Sequence, residues 1–418
     1  MAIKSGQILH IGNDVTLIER LQTGGPGNLN IPKDKIYELG NYQSVATIRD
    51  TPDLSYSLES LDTSCALESF LTGTALASTS FDLSTCQPVD LATPFKPGKN
   101  APLPFTITKA VGIPFLYAES ISYKFGLKDN AAQTVSLKGD SIFYCPGPVY
   151  VETSLLGVAA GGTLATTHVA GIYSDASGDR RVLSVEVGST RLTYGSDYTV
   201  SSALATGYEV ATVTFTAAVT APTPIRIMYF SSVPQVKDQT IHSLATVKPA
   251  AVRGRDIDVY VGGYDPTSAV TWGASQANKW GDVQSVTCDW KVTLDKDNEF
   301  GNYFMTGQDF DVPTVDGSIN LKPRDVDTLF ARIREMTGET ATDRALGPNT
   351  AVPLVVDIVI KNAAIPFDAA DPAANTLKRL HIPDARFTVP GFSGRVQQKL
   401  TVDVPFESDA GTLIVYPV

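Results

Sequence analysis

The sequence predicts a mainly β protein with two tandem β-sandwich or β-barrel units, each with one short α-helix, and a third, inserted β-sandwich. Three observations predict this fold: the composition, an internal repeat, and the length of chain that separates the two copies. Only 18% of the 418 residues are charged, whereas 33 glycines and 26 prolines supply many turns. Such a composition is typical of chains with many short strands, and the length suffices for two or three domains of about 100–200 residues.

Charge and hydropathy exclude several classes of protein. The chain has 33 Lys and Arg against 44 Asp and Glu, a net charge of -11, so its surface as a whole does not match a nucleic-acid backbone. No stretch approaches about 18 apolar residues, and the N-terminus lacks the pattern of a signal peptide, so we expect no contact with a membrane. The four cysteines are scattered without a CxxC pair, which predicts free thiols and neither a metal site nor a cofactor.

The first part of the internal repeat predicts a turn and a hairpin in each copy. Residues 34–58 recur 261 residues later, and nine of the 25 positions are identical. Average amino-acid usage predicts roughly one or two identities by chance. The repeated turn is Glu-x-Gly-Asn-Tyr, with Gly40 and Asn41 in the first copy and Gly301 and Asn302 in the second.

The second part of the repeat predicts one short helix in each copy. After a shift of four residues, the pattern Asp-Thr-x-x-Ala of residues 62–73 reappears in residues 327–338, and both segments end in Thr-Gly. The expected capping residues are Asp62 or Thr63 and Asp325 or Asp327 at the N-termini, and Gly73 and Gly338 at the C-termini.

Strands surround the helix in each copy. Residues 54–59 alternate apolar and polar side chains, and residues 315–321 do so less regularly, which predicts strands with one buried and one polar face. Paired strands are expected after the helix, and two weaker matches at the offset of 265 lie there. These matches pair Gly126 with Gly391 and Gln133 with Gln398. Each copy is therefore expected to run strand, strand, helix, strand, strand.

The two copies do not account for the whole chain. The repeat offsets assign the first unit to residues 1–145 and the second to 238–418. Residues 146–237 contain about six short strands separated by turns, and turn signals every 8–12 residues or so are typical of an immunoglobulin-like β-sandwich. We expect this segment to fold as an independent domain on the outside of the protein. Its removal should not prevent copies of the chain from assembling with one another.

A repeated β-sandwich unit with one short helix and a Glu-x-Gly-Asn turn resembles the tail tube protein, or major tail protein, of tailed bacteriophages. In that family, units join side by side into six-unit rings whose inner sheets form one β-barrel. The rings stack into a tube that conducts DNA into the host. Relatives with two fused units close the ring as a trimer, and an immunoglobulin-like module often decorates the tube exterior. The resemblance therefore implies a structural virion protein of the two-unit version, without enzymatic activity or cofactor.

The resemblance also implies partners and a location. Further copies of the chain would form the ring and stack contacts, and the tape measure protein and double-stranded DNA would occupy the lumen. Tail terminator and baseplate proteins would meet the tube ends, with a sheath around the tube in tails that have one. The protein would be made in the host bacterial cytoplasm and reside in the virion tail, and the tube itself would not contact a membrane.

A wall that lets DNA pass needs small polar and acidic side chains, because several Lys or Arg contacts would hold the phosphates. The sequence leaves open whether the repeated polar strand faces line such a lumen or form a solvated exterior. The candidates for a net acidic lumen are Glu38, Asp50, Ser55, Ser57, Glu59, Glu299, Asp309, Asp316 and Ser318.

Two alternative functions follow from the same residues. A baseplate hub, distal tail or tail terminator protein would share the fold but stop at a single ring. A β-sandwich binding protein or glycosidase would instead need a ligand site, or two carboxylates that face each other across a cleft.

Overall fold

The computed structural model describes residues 21–24, 28–30, 33–36, 46–49, 52–61, 64–95, 105–127, 129–175, 178–201, 207–237, 252, 256–264, 278–297, 304–338, 352–361, 376–388, 391–393, 400–408 and 410–417. Within these ranges the protein is mainly β, as the sequence predicts, with large antiparallel sheets and two α-helices.

The described elements of the first part of the chain run up to residue 145. They are β1 (Leu21–Gly24), β2 (Asn28–Asn30), β3 (Lys33–Ile36), β4 (Ala46–Arg49), β5 (Asp53–Ser60), α1 (Ala66–Thr72), β6 (Phe81–Asp82), β7 (Val89–Pro94), β8 (Phe105–Ile107), β9 (Ala110–Gly126), β10 (Ala132–Gly139) and β11 (Phe143–Cys145).

The segment that the sequence assigns to the insertion holds short strands, as predicted. They are β12 (Val149–Ser154), β13 (Thr163–Ala170), β14 (Tyr173–Asp175), β15 (Gly178–Arg180), β16 (Ser184–Val187), β17 (Thr190–Arg191), β18 (Tyr198–Ser201), β19 (Glu209–Phe215), β20 (Ile225–Phe230) and β21 (Gln235–Lys237).

The last part of the chain contains the second helix. Its described elements are β22 (Ile257–Val261), β23 (Lys279–Trp280), β24 (Val283–Lys291), β25 (Leu294–Asp297), β26 (Gly307–Phe310), β27 (Thr314–Leu321), α2 (Val326–Thr337), β28 (Leu354–Lys361), β29 (Thr376–Phe387), β30 (Gly391–Ser393), β31 (Thr401–Ser408) and β32 (Ile414–Pro417).

Both helices end where the sequence predicts, but only one has the predicted N-cap. Gly73 and Gly338 follow the helices with φ of 65° and 67°, a left-handed conformation that glycine adopts without strain. The Asp325 carboxylate accepts a hydrogen bond of 2.7 Å from the Thr328 amide and caps α2. The prediction for α1 is wrong, because the helix begins after Cys65, which makes no side-chain cap.

Three strands recur at the spacing of the sequence repeat. The hairpin β3–β4 and strand β5 have the same bounds as β25–β26 and β27, displaced by 261 residues. The pairing registers recur as well, since Lys33 lies opposite Arg49 and Leu294 lies opposite Phe310. Strands β1 and β2 together take the place of β24, because Asn28 lies opposite Ser55 as Asp289 lies opposite Asp316.

Later strands recur at other spacings. Leu58 faces Val135 and Ile319 faces Val404, so β10 and β31 correspond at an offset of 269. Strands β7 and β28 keep the offset of 265, since Val89 pairs with Leu116 as Leu354 pairs with Ala385. The connection that follows is therefore four residues longer in the second copy. Because of this longer connection, the match of Gly126 with Gly391 is wrong, since Gly391 takes the place of Ser122. Gln398 lies outside the described residues.

One antiparallel sheet runs through both copies of the repeat. Its central strands follow the order β5, β10, β9, β24, β27 and β31, and the pair β9–β24 joins the two copies. Apolar residues such as Leu58, Tyr123, Cys288 and Ile319 alternate along these strands and are buried in one core. That core also contains residues of both helices, so the two copies fold around shared apolar side chains.

The inserted strands form a sandwich of their own. The sheet β12–β20–β16–β17 faces the sheet β13–β19–β18 across a core that includes Tyr150, Val213 and Ile227. The immunoglobulin-like assignment remains a prediction, because only the sandwich of two sheets is described. The expectation of independence is wrong at the base of the sandwich, where Val149 and Met228 share a second core with Ala110 and Phe143 of the first copy.

Candidate functional site

One face of the six central strands of the large sheet forms a polar surface. Side chains that point away from the core alternate with buried ones in every central strand. One cross-strand row illustrates the register across the joined copies. It consists of Glu59, Thr134, Ser122, Asp289, Asp316 and Glu407. This surface, here called the polar sheet face, is exposed or half-buried throughout.

Acidic groups outnumber basic groups on the polar sheet face. Its described carboxylates are Asp53, Glu59, Glu119, Asp289, Asp316, Asp403 and Glu407, and its described cations are Lys124, Lys138, Lys291 and Arg386. Several of the cations are paired locally: Lys138 Nζ lies 2.6 Å from Glu119 Oε1, and Lys291 Nζ lies 3.0 Å from Asp316 Oδ1. The remaining surface consists mainly of serine and threonine, so it offers few free cations to an anionic polymer.

The structure brings together only some of the residues that the sequence proposed for a lumen. Ser55, Ser57, Glu59, Asp316 and Ser318 lie on the polar sheet face. Asp309 does not, because the hairpin of β25 and β26 forms a separate two-stranded sheet. The sequence analysis missed other charged groups of this face. Among them are Asp289 and Lys291 of β24 and Asp403 and Glu407 of β31, which the same alternation marks.

Some predicted residues lie outside the described part of the chain. They are the acidic candidates Glu38, Asp50 and Glu299, and the turn residues Gly40, Asn41, Gly301 and Asn302.

A buried ion pair reinforces the joint between the two copies. Glu68 on α1 pairs with Lys378 on β29, and both side chains are almost completely buried. Lys378 Nζ also donates to Gln133 Oε1 at 3.0 Å, and the Tyr123 hydroxyl donates to Glu68 Oε1 at 2.6 Å. Burial, followed by the nearby Glu68 charge, raises the pKa of Tyr123 well above its usual value. The hydroxyl therefore stays protonated and serves as a donor.

Within the described part of the chain, the outer strands of this sheet have a pairing partner on one side only. Among the described pairings, β1 and β2 pair only with β5, and β30 pairs only with β31. An open edge exposes backbone donors and acceptors, and it pairs readily with another strand. These two edges occupy the positions that β24 and β9 occupy inside the chain, where they pair with each other.

The inserted sandwich is fixed to both copies through one buried carboxylate. Asp140 accepts a hydrogen bond of 2.9 Å from Arg191 Nη1 in the insertion and one of 2.7 Å from the Met305 amide in the second copy. Arg191 also stacks over the ring of Phe304, 4.7 Å from its centroid. Because Asp140 is fully buried, its charge depends on these partners.

A second buried cluster connects the insertion with β7. Arg226 pairs with Glu186 at 2.6 Å and with Asp90 at 3.5 Å, while Asp90 Oδ1 accepts a hydrogen bond of 3.1 Å from the Phe115 amide. Burial, followed by the negative charge of Glu186, raises the pKa of Asp90. Two carboxyl groups therefore share one guanidinium, which favours a proton on Asp90.

A cleft of about 480 Å³ lies where the insertion meets the two copies. Aromatic side chains line much of it, including Phe143, Tyr144, Tyr173 and Phe304. Asp140 also borders the cleft, and both of its carboxylate oxygens are engaged by the partners described above. Among the described residues, no group of three or more His, Cys, Asp and Glu is arranged to hold a metal ion.

Comparisons with known proteins do not assign the chain to a protein family. No known family of proteins matches it, and no curated protein sequence matches it. Neither helix of the described structure is long and apolar enough to cross a membrane.

Proposed function

We propose that the protein is a structural subunit that polymerises into stacked rings of three chains and forms the tail tube of a bacteriophage. One observation carries the proposal: β9 and β24 join two copies of a repeat edge to edge into a single sheet with a continuous polar face. The same joint, repeated between chains, would use the open edges of β1–β2 and β30. Three chains would then supply six copies around a pseudo-sixfold axis.

The internal joint predicts the register of the joint between chains. Inside the chain, Asp289 lies opposite Ser122. Asn28 takes the place of Asp289, because each lies opposite corresponding residues of β5 and β27. Gly391 takes the place of Ser122, because Gly391 faces Asp403 as Ser122 faces Thr134. Asn28 of one chain should therefore lie opposite Gly391 of the next.

The charge of the polar sheet face fits a surface along which DNA moves. Among the described residues, seven carboxylates and four cations leave this face net acidic, and two of the cations lie within 3.0 Å of a carboxylate. Neutralisation of phosphates by Lys and Arg drives nucleic-acid binding, so a wall with few free cations holds DNA weakly. At physiological salt the repulsion extends over about 8 Å, which limits it to DNA near the wall.

The proposal defines partners and a location. The chain binds further copies of itself in rings and stacks, and the lumen holds the tape measure protein and then double-stranded DNA. Terminator and baseplate proteins cap the tube ends, and a sheath surrounds the tube in tails that have one. The protein acts without catalysis, in the virion tail, after synthesis in the bacterial cytoplasm.

Electron microscopy of the purified chain tests the proposal. We expect hollow tubes whose mass per unit length corresponds to three chains per ring. Six chains per ring would refute the pseudo-sixfold arrangement. Single rings that never stack would instead favour a baseplate hub, distal tail or terminator protein, and a monomer at all concentrations would refute self-assembly.

A disulfide tests the register directly. Directly opposed Cα atoms in antiparallel strands lie about 4.5–5.5 Å apart, within the range that a disulfide spans. The double variant Asn28→Cys with Gly391→Cys should form covalent trimers when assembled chains are oxidised, whereas each single variant should not. Covalent trimers from either single variant, or none from the double variant, would contradict the register.

A further inference from the structure

The two helices of the repeat differ sharply in exposure. Cys65 and Phe330 correspond at the offset of 265 that relates α1 to α2, yet Cys65 is 4% exposed and Phe330 is 47% exposed. Val326, one turn before Phe330, is 64% exposed. Val326 and Phe330 of α2 therefore form an apolar patch, here called the α2 patch, whereas Cys65, which corresponds to Phe330 and lies just before α1, is covered.

The second copy of the repeat covers α1 inside the chain. Lys378 of β29 pairs with Glu68 of α1, and β6, which follows α1, pairs with β32. Val415 of β32 lies opposite Phe81 of β6 and is completely buried. The surface that receives the α1 region is therefore formed by β29 and β32, with Lys378 and Val415 at the contact.

The first copy contains the counterpart of that surface, and it is exposed. Tyr144 of β11 lies opposite Val111 as Val415 lies opposite Leu380, so Tyr144 takes the place of Val415. Tyr144 is 73% exposed, whereas Val415 is 0% exposed. Lys109 takes the place of Lys378 in the same register and is also exposed. Among the described pairings, β11 pairs only with β9, so its other edge is open.

We propose that the α2 patch of one chain docks on the Tyr144 and Lys109 surface of a second copy, as the α1 region docks on β29 and β32 within the chain. This inference rests on the proposed ring, and it assigns a second contact to the interface that the strand edges form. The partner is a second copy of the chain, because each chain carries both surfaces of this contact. The α2 patch and the Tyr144 and Lys109 surface are exposed, whereas the corresponding surfaces of the internal contact cover each other. The contact is heterologous, so it propagates around a ring.

The substitution Phe330→Lys tests the α2 patch. A lysine there would put a charge in place of an aromatic anchor, and aromatic residues dominate many interfaces. We expect assembly at least about tenfold weaker by sedimentation velocity. Tyr144→Lys should have the same effect from the other side of the contact. Leu156→Lys is the control, since Leu156 on the inserted segment is 72% exposed, close to the 73% of Tyr144.

Mixing the two variants tests the direction of the contact. The α2 patch of a Tyr144→Lys chain and the receiving surface of a Phe330→Lys chain are both unchanged. A mixture should therefore form dimers through one intact docking contact at concentrations at which each variant alone sediments mainly as a folded monomer. Circular dichroism melting curves that match the wild type establish that the variants fold.

The outcomes separate this inference from the tube proposal. Tubes of Phe330→Lys that assemble like the wild type would overturn the docking contact and leave the tube proposal standing. Wild-type rings that never stack, but that both lysine variants dissociate, would overturn the tube and support the contact. A wild-type chain that stays monomeric would overturn both. Loss of assembly in the Leu156→Lys control would overturn the assignment to the α2 patch.

Discussion

Replacing Glu68 by Gln should destabilise the unassembled chain by about 3–5 kcal/mol, because the change leaves the Lys378 ammonium buried without a counter-ion. The structure offers little compensation: Lys378 is 1% exposed, and its remaining close polar partner is the side-chain oxygen of Gln133 at 3.0 Å. Glutamine preserves the size of the side chain, so a cavity does not contribute to the loss.

A double-mutant cycle isolates the ion pair from its surroundings. Lys378→Met alone should cost a similar amount, because Glu68 is then the uncompensated charge. The variant with both Glu68→Gln and Lys378→Met should lose only about 1–2 kcal/mol, mainly because Gln133 Oε1 loses its donor, since the glutamine oxygen still accepts from the Tyr123 hydroxyl. The two single changes should therefore be non-additive by several kcal/mol, as expected for groups in direct contact.

Urea unfolding followed by circular dichroism measures these differences. Asp316→Asn is the matched control, because it breaks an ion pair of Lys291 in which both side chains are about half exposed, and such pairs contribute less than about 1 kcal/mol. The reasoning would be refuted if Glu68→Gln unfolded within 1 kcal/mol or so of the wild type, or if the losses in the double variant simply added.

Three further predictions concern the other charged groups. The pKa of Asp90 is raised by burial and by Glu186, so its stabilising contribution is present at low pH and is lost as pH rises from the usual carboxyl range towards about 8. Asp90→Asn should flatten that part of the pH dependence of the melting temperature; an unchanged profile would contradict the shift. Arg191→Met should cost about 3–5 kcal/mol in urea unfolding, because Asp140 is then buried without its cation, whereas a loss under about 1 kcal/mol would mean that Asp140 is satisfied by the Met305 amide alone. Lysine at Asp289 and Asp316 together should leave folding intact to within about 1 kcal/mol but slow genome ejection in a way that salt relieves, and unchanged ejection from assembled tubes would place the polar sheet face outside the lumen.

Local patterns in the sequence predicted the elements of the fold that depend on neighbouring residues. Alternation along residues 54–59 predicted a half-buried strand, and Gly73 and Gly338 marked the helix ends, because each signal is contained within a few positions. The start of α1 could not be predicted in this way. Cys65 has no capping side chain, so packing in the core decides where the helix begins.

Contacts between residues that are far apart in the sequence could not be predicted from such local patterns. Glu68 and Lys378 are 310 positions apart, and nothing near either residue marks them as partners. The offset of 269 between β10 and β31 also depends on a four-residue difference in a connection between strands, which few identities in the sequence reveal. The sequence makes Asp309 a candidate for the lumen because it is acidic and lies near a repeated strand, but strand pairing places it on a separate hairpin.

The two joints of the repeat form under different conditions, and their residues differ accordingly. The joint inside the chain closes during folding, so Glu68 and Lys378 need not be compatible with water once they are buried against each other. The proposed joint between chains closes only after folding, so both of its surfaces must first be stable in solvent. Lys109 is exposed to solvent there, and Tyr144 replaces the aliphatic Val415 with a side chain that has a polar end. We therefore expect Tyr144→Val to lower the solubility of the free chain more strongly than it lowers the stability of the assembled ring.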